Sequence, residues 1–362
     1  MRVLMIARKT LEITPGGDTI QINSTAEYLR HLGVEVDINI GYSIIDYSKY
    51  DIMHFFNIIR PDDIISHINN SNLPFVVSTI FVDYSEFEKN RGGLLGLLGN
   101  LLSSDKLEYI KTIARFLKNG DVINSKYYLL NGHRASVKYV AKKANLLLPN
   151  SHSEYNRFVK KYHVATPYIK VPNAINTLTF SSTVSPNEKF KNHILCVGRI
   201  EGIKNQLNLI KALAGTDLFL TIIGKPAPNH IAYYKECVKL IEENANMQLI
   251  EHIDHNQLAS IFKAAKVHVL PSWFETTGLS SLEAAIMECN IVITPKGDTE
   301  EYFNDLAYYC EPDDILSIKN MVIKAFYEPN KDSLKELILK EYVWEKTAEQ
   351  TLKAYNSILN KS

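Results

Sequence analysis

Two stretches of this chain open in the same way, and that repetition limits the folds available to it. Arg2–Ala7 is a short apolar run, followed by the glycines Gly16 and Gly17, a helix-length stretch to about Gly33, and a second apolar run from Val34 to Ile40. His193–Val197 is again apolar, and Gly198 and a fresh series of the same kind follow it. Apolar runs alternating with helical stretches read as β-α-β units, whose parallel strands are buried on both faces. Sheets built that way bind ligands just beyond the C-terminal ends of their strands. At 362 residues the chain exceeds one ordinary core and fits two such α/β domains. The expected division is an N-terminal domain over 1–175, a linker over 176–192, a C-terminal domain over 193–341 and a last helix over 342–362. Ser, Thr, Asn and Pro dominate the linker stretch. In the last helix Trp344, Ala348, Thr351, Leu352, Tyr355, Ile358 and Leu359 recur at helical spacing, an apolar stripe suited to packing.

The stretch Pro271–Pro295, PSWFETTGLSSLEAAIMECNIVITP, carries the most chemistry. The run Val267–Leu270 before it reads as a buried strand, Leu279–Glu288 as a helix, and Ile291–Thr294 as the next strand. Thr276 or Thr277 is the expected N-cap. Glu275 lies in the loop and Glu283 about one turn into the helix, beside the backbone N–H groups of Gly278 and Leu279. N–H groups at a glycine-led helix start can approach a phosphate closely, and carboxylates accept hydrogen bonds from sugar hydroxyls. Together they suit a nucleotide-sugar. Spacing alone is equally met by a solvated helix glutamate and a loop charge.

A second cluster is Gly198-Arg199-Ile200-Glu201-Gly202-Ile203-Lys204-Asn205. A glycine turn carrying Arg199 and Lys204 ahead of a helix can bring two cations to one diphosphate. Arginine chelates phosphate oxygens in a fork, and lysine acts as a point charge.

FETTGLSSLEAA resembles the Glu-x7-Glu motif of retaining GT-B glycosyltransferases of family 4, and Gly198–Lys204, with Arg199 and Lys204 five positions apart, resembles that family's Gly-Arg…Lys phosphate clamp. The resemblance implies two facing Rossmann-like domains, with the last helix crossing back to the N-terminal one. It implies a donor site formed by Gly16, Gly17, Arg199, Lys204, Glu275, Thr277, Gly278, Leu279 and Glu283, with Arg199, Lys204 and Glu275 acting in catalysis. The implied partners are a nucleotide-sugar donor, UDP- or GDP-linked, and a glycan or lipid-linked acceptor, in the building of a surface polysaccharide. The chain departs from the family in places. No histidine stands near Phe81, Val82 and Asp83, where many members have one, and Ala174 and Asn176 replace the glycine and acid of the turn after Pro172-Asn173. Asp83, Tyr84 and Glu86 are the polar groups available for acceptor contacts, although such a cluster also serves as a cap or turn. Two other classes stay open on residues alone: a nucleotide-sugar 2-epimerase, and a binding protein of the same fold without turnover.

There is no Asp-x-Asp pair to hold a cation on a diphosphate, so a metal-independent enzyme without a cofactor is expected. With 40 basic and 40 acidic residues, nothing favours nucleic acid as a partner. Cys196, Cys237, Cys289 and Cys310 have no metal-binding spacing and read as buried thiols. Met1 leads straight into a strand and leaves no room for a signal peptide, which points to the cytoplasm. The glycine-rich apolar run Gly92–Leu102, flanked by Lys89, Arg91 and Lys106, leaves peripheral membrane contact open beside simple packing between helices.

Overall fold

The computed structural model describes residues 1–9, 11–12, 16–41, 45–83, 86–87, 103–119 and 122–360. Gly92–Leu102 and Tyr84 lie outside them. The chain divides into two compact units, Met1–Asn173 with Trp344–Ser362, and Ala174–Val343.

In chain order the first unit contains β1 (Arg2–Ala7), α1 (Gly17–His31), β2 (Glu35–Ile40), β3 (Ile52–Phe56), α2 (Pro61–Asn70), β4 (Phe75–Ser78), α3 (Ser104–Asn119), α4 (Lys126–Lys143), β5 (Leu146–Leu147) and α5 (His152–Tyr162). Its sheet is parallel, in the order β2-β1-β3-β4-β5. The direction of winding reverses between β1 and β3. Leu4, Ile6, Met53, Phe55 and Val77 fill its core from the strands, as expected for apolar runs covered on both faces. The run Tyr168–Val171, which reads as a strand, lies parallel to the end of β5: Tyr168 bridges Leu147, Ile169 N–H donates to Leu147 O at 3.1 Å and Val171 N–H to Pro149 O at 2.9 Å. Pro149 on the facing segment has no N–H to donate back to Ile169, which cuts the ladder short.

The second unit contains β6 (Ile194–Val197), α6 (Gln206–Leu213), β7 (Leu220–Ile223), α7 (Ile231–Glu242), β8 (Met247–Ile250), α8 (His255–Ala264), β9 (Val267–Leu270), α9 (Leu279–Ile286), β10 (Asn290–Ile293), α10 (Thr299–Phe303), β11 (Tyr308–Tyr309), α11 (Ile315–Tyr327) and α12 (Asp332–Glu341). Its sheet is parallel as well, in the order β11-β10-β9-β6-β7-β8. The chain builds outward from β6 to β8, then returns to the other side of β6 for β9. The reversal therefore falls between β6 and β9, where the loops after those strands diverge and leave a crevice.

The stretch 176–192, which reads as a linker, belongs to the second unit. Phe180 and Phe190 are buried in its core, and Asn187 N–H donates to Ser260 O at 2.8 Å. Polar composition hid two aromatic anchors. The last helix, α13 (Trp344–Leu359), is part of the first unit. Trp344, Ala348, Thr351 and Tyr355 are buried, and the Tyr355 hydroxyl lies 2.7 Å from His54 Nδ1. Among the described residues no helix is long and apolar enough to cross a membrane.

Candidate active site

In the second unit the loops after β6 and β9 are tied together at the reversal of the sheet. Trp273 N–H donates to Ile203 O at 2.9 Å, and the Ser280 hydroxyl donates to Val197 O at 2.9 Å. These bonds hold the Arg199–Lys204 turn against the start of α9. Across the junction Lys204 Nζ lies 2.6 Å from Glu275 Oε1, which also accepts from Ser272 Oγ at 2.7 Å. The Glu275 carboxylate is buried, so a paired cation offsets much of its desolvation.

The backbone of Glu275 is held just as closely. Its N–H donates to Lys296 O and its carbonyl accepts from Asp298 N–H, both at 3.0 Å. Gly297 lies between them with φ at +115°, and a Cβ there would sit 1.9 Å from Glu275 O. Only glycine fits that close approach. The loop after β10 thereby fixes the carboxylate from behind.

Arg199 is more open. Its guanidinium is about half exposed (51%), and Nη2 lies 3.2 Å from Glu201 Oε1. Two cations on one turn, one exposed and one paired with a carboxylate, make a locally positive rim suited to an anion.

Helix α9 starts from Gly278 rather than from Thr276 or Thr277. Gly278 is the N-cap in the left-handed region, φ 69° and ψ 61°, and no side chain caps the helix. A threonine would place its Cβ badly in that conformation. The intrahelical ladder begins with Ser281 and Leu282 N–H on Gly278 O, leaving Leu279 and Ser280 N–H at the open helix end. Thr277 is buried beside them.

Glu283 is not a solvated helix residue. From Ser281 to Ile286 the helix is buried all round, and the Glu283 side chain is only 10% exposed. Its Oε1 lies 2.9 Å from His255 Nε2. The hydrogen bond to Glu283 raises the His255 pKa, against the opposing effect of burial. His255 escapes a sequence reading because its partner is 28 residues away, with no local spacing to mark the pair. Nearby His268 is fully buried with its Nδ1 3.2 Å from Ser281 Oγ, and burial pushes its pKa down to about 3. It is neutral at ordinary pH and serves as no acid.

The structure thus brings Arg199, Lys204, Glu275, Thr277, Gly278, Leu279 and Glu283 to one edge of one sheet. Gly16 and Gly17 lie in the first unit, where α1 begins beyond β1. Gly16 N–H donates to Thr19 Oγ1 at 3.1 Å, and Arg8 grips Asp18 through two bonds of 2.5 and 3.1 Å. Asp83 and Glu86 follow β4 and are half-buried. The histidine-free loop after β4 is organised by a residue that spacing did not reveal, the fully buried Glu154 of α5. Its carboxylate accepts from Thr79 Oγ1, from Phe81 N–H at 2.7 Å and from Asn150 N–H at 2.8 Å. Those bonds bracket Ile80, a β-branched residue at φ 43°.

Two α/β units with parallel sheets of these orders define the GT-B class, and solved structures of that class share the fold. Sucrose-phosphate synthase from Thermosynechococcus elongatus matches over 100% of both chains with a TM-score of 0.77 at 15% identity. Anabaena Alr3699/HepE in complex with UDP and glucose matches 99% of this chain and 100% of its own, with a TM-score of 0.69 at 13% identity. More narrowly, residues 180–344 match the family model Glycosyl transferases group 1, a stretch that falls almost wholly in the second unit. A D-inositol 3-phosphate glycosyltransferase of Pseudarthrobacter chlorophenolicus is 28% identical over 166 residues, 42% of this chain. Its counterpart in an Arthrobacter species is 28% identical over 172 residues. The match spans 40% of the length of each of these curated relatives.

Proposed function

We propose that this chain is a metal-independent glycosyltransferase that passes a sugar from a nucleotide-sugar donor to a glycan or lipid-linked glycan, with retention of anomeric configuration. The observation that carries this reading is the Lys204–Glu275 contact of 2.6 Å at the reversal of the second sheet. It joins a cation fit for phosphate to a carboxylate fit for a sugar hydroxyl.

In this mechanism Arg199, Lys204 and the open N–H of Leu279 meet the diphosphate and stabilise it as its charge grows on leaving. Lys204 carries three donors, so it can keep Glu275 while binding a phosphate oxygen. Glu275 takes a hydroxyl of the transferred sugar and fixes it for attack. Glu283 accepts from the ribose hydroxyls. Retention is supported by the resemblance of the Glu-x7-Glu stretch to retaining enzymes. Attack from the face of the departing phosphate lets that phosphate accept the acceptor's proton, so no side-chain base is required. Gly16 and Gly17 are proposed donor contacts, and Asp83, Tyr84 and Glu86 proposed acceptor contacts. A role in surface polysaccharide at the inner face of a membrane rests on the family resemblance alone. The solved complexes of HepE with UDP and UDP-glucose make UDP the first base to test.

The test is a panel of UDP- and GDP-linked sugars incubated with the protein, with and without a chelator. Release of nucleoside diphosphate that survives the chelator is expected, and NMR of the sugar released early should show the donor's own anomer. Binding without release would remove the transferase, and an isomerised donor would replace it with an epimerase.

A further inference from the structure

His255 touches the proposed ribose acceptor Glu283, and the mechanism above gives it no part. It is the first residue of α8, at the mouth of the loop after β8. Its ring packs edge-on against Phe180, with centroids 5.1 Å apart at 76°, while 48% of its side chain stays open to solvent. No other described residue donates a hydrogen bond to the Glu283 carboxylate. A carboxylate that is nine-tenths buried and held by one donor has its second oxygen left for a ligand.

We propose that His255 is a positioning residue for the donor: its Nε2 holds Oε1 of Glu283 and turns Oε2 toward the ribose hydroxyls, and its proton makes nucleotide binding depend on pH. This rests on the reading of Glu283 as the ribose acceptor. A protonated imidazole sets a positive charge against the Glu283 carboxylate in front of an incoming anion. A neutral imidazole still donates from Nε2 in one tautomer but leaves the negative charge uncancelled. Nucleotide diphosphates therefore bind more tightly when His255 carries its proton.

Few other charges bear on this ring. Glu283 of α9 raises its pKa, and no other charged group contributes a resolved effect. Asp254, just ahead of it, pairs with His252 at 3.3 Å. Glu188 of the single turn Glu188–Phe190, which also packs on α8, pairs with Lys191 at 3.7 Å, and Lys189 is exposed.

The experiment is calorimetric titration of the whole chain with UDP and with GDP from pH 5.5 to 8.5, for the wild type, His255→Ala and His255→Gln. Comparing variants at each pH cancels the titration of the nucleotide's own phosphate. Wild-type affinity is expected to exceed that of H255Q by about 5-fold at the acid end and to converge with it at the alkaline end, the difference between a charged and a neutral donor. H255A should lie below H255Q throughout, because an amide restores the bond and a methyl does not. Profiles of all three proteins that run parallel, at constant ratio, overturn the proposal and leave the donor site standing. Failure of the wild type to bind either nucleotide overturns the donor site and the proposal together. If H255A does not fold, the comparison with H255Q alone decides the pH dependence.

Discussion

In the first unit, the polar groups around the C-terminal edge of the sheet are engaged by one another. Arg8 and Asp18 close on each other through two bonds. Both nitrogens of His54 are taken, Nδ1 by Tyr355 at 2.7 Å and Nε2 by Ser78 at 2.9 Å. Glu154 is wrapped by Thr79, Phe81 and Asn150. In the second unit the same edge keeps charged groups facing water. Arg199 and His255 are about half exposed, at 51% and 48%, and α9 begins with open N–H groups. Two sheets of one architecture thus differ in how much of their polar chemistry is left for a ligand. A fold assignment cannot reveal that difference, because function lies in the site.

The comparison breaks most readily at the cations. Arg199→Ala and Lys204→Ala are each expected to slow nucleoside diphosphate release by about 10²–10³-fold, as loss of a charge-stabilising donor does, with the chain still folded by circular dichroism. Rates within a few-fold of wild type would show that the exposed edge is idle.

Next comes the backbone behind Glu275. Gly297→Ala should cost about 3 kcal/mol in guanidinium unfolding, because a Cβ would overlap Glu275 O at 1.9 Å in a region closed to alanine. An unchanged midpoint would mean that the loop after β10 yields freely.

An effect of similar size sharpens the contrast through pH. Burial lowers His54 and His268 to about 3, from 6.5 when exposed. The unfolded chain then binds protons that the folded chain refuses, so this stability is complete above about 6.5 and is lost as pH falls toward about 3. Each histidine should contribute a loss of about 1.4 kcal/mol per pH unit within that window. Unfolding measured at pH 7 and pH 5 should show it, and His54→Gln should flatten the slope. Smallest is Tyr355→Phe, which strips His54 Nδ1 of its partner. We expect a loss of about 1 kcal/mol, with donor binding untouched.

The second unit's site was largely legible because its residues sit close in sequence and on punctuated elements. Val267–Leu270 read as a strand and is one, and the glycine at 278 marked the helix start even though a threonine was the expected cap. What stayed hidden depends on partners far along the chain. The burial of Glu283 and its bond to His255 come from the meeting of α8 and α9, and Glu154 reaches a loop 73 residues away at Phe81. Phe180 and Phe190 vanish in a polar stretch because two aromatic side chains are too few to make a periodic pattern. The short β5 and the truncated ladder to Tyr168–Val171 show a proline, Pro149, overriding apolar composition.

The account stands most directly on a crystal structure of this chain soaked with UDP or GDP. It predicts the diphosphate within hydrogen-bonding distance of Arg199, Lys204 and Leu279 N–H, and the ribose hydroxyls on Glu283. A nucleotide bound with its phosphates away from both cations would contradict it.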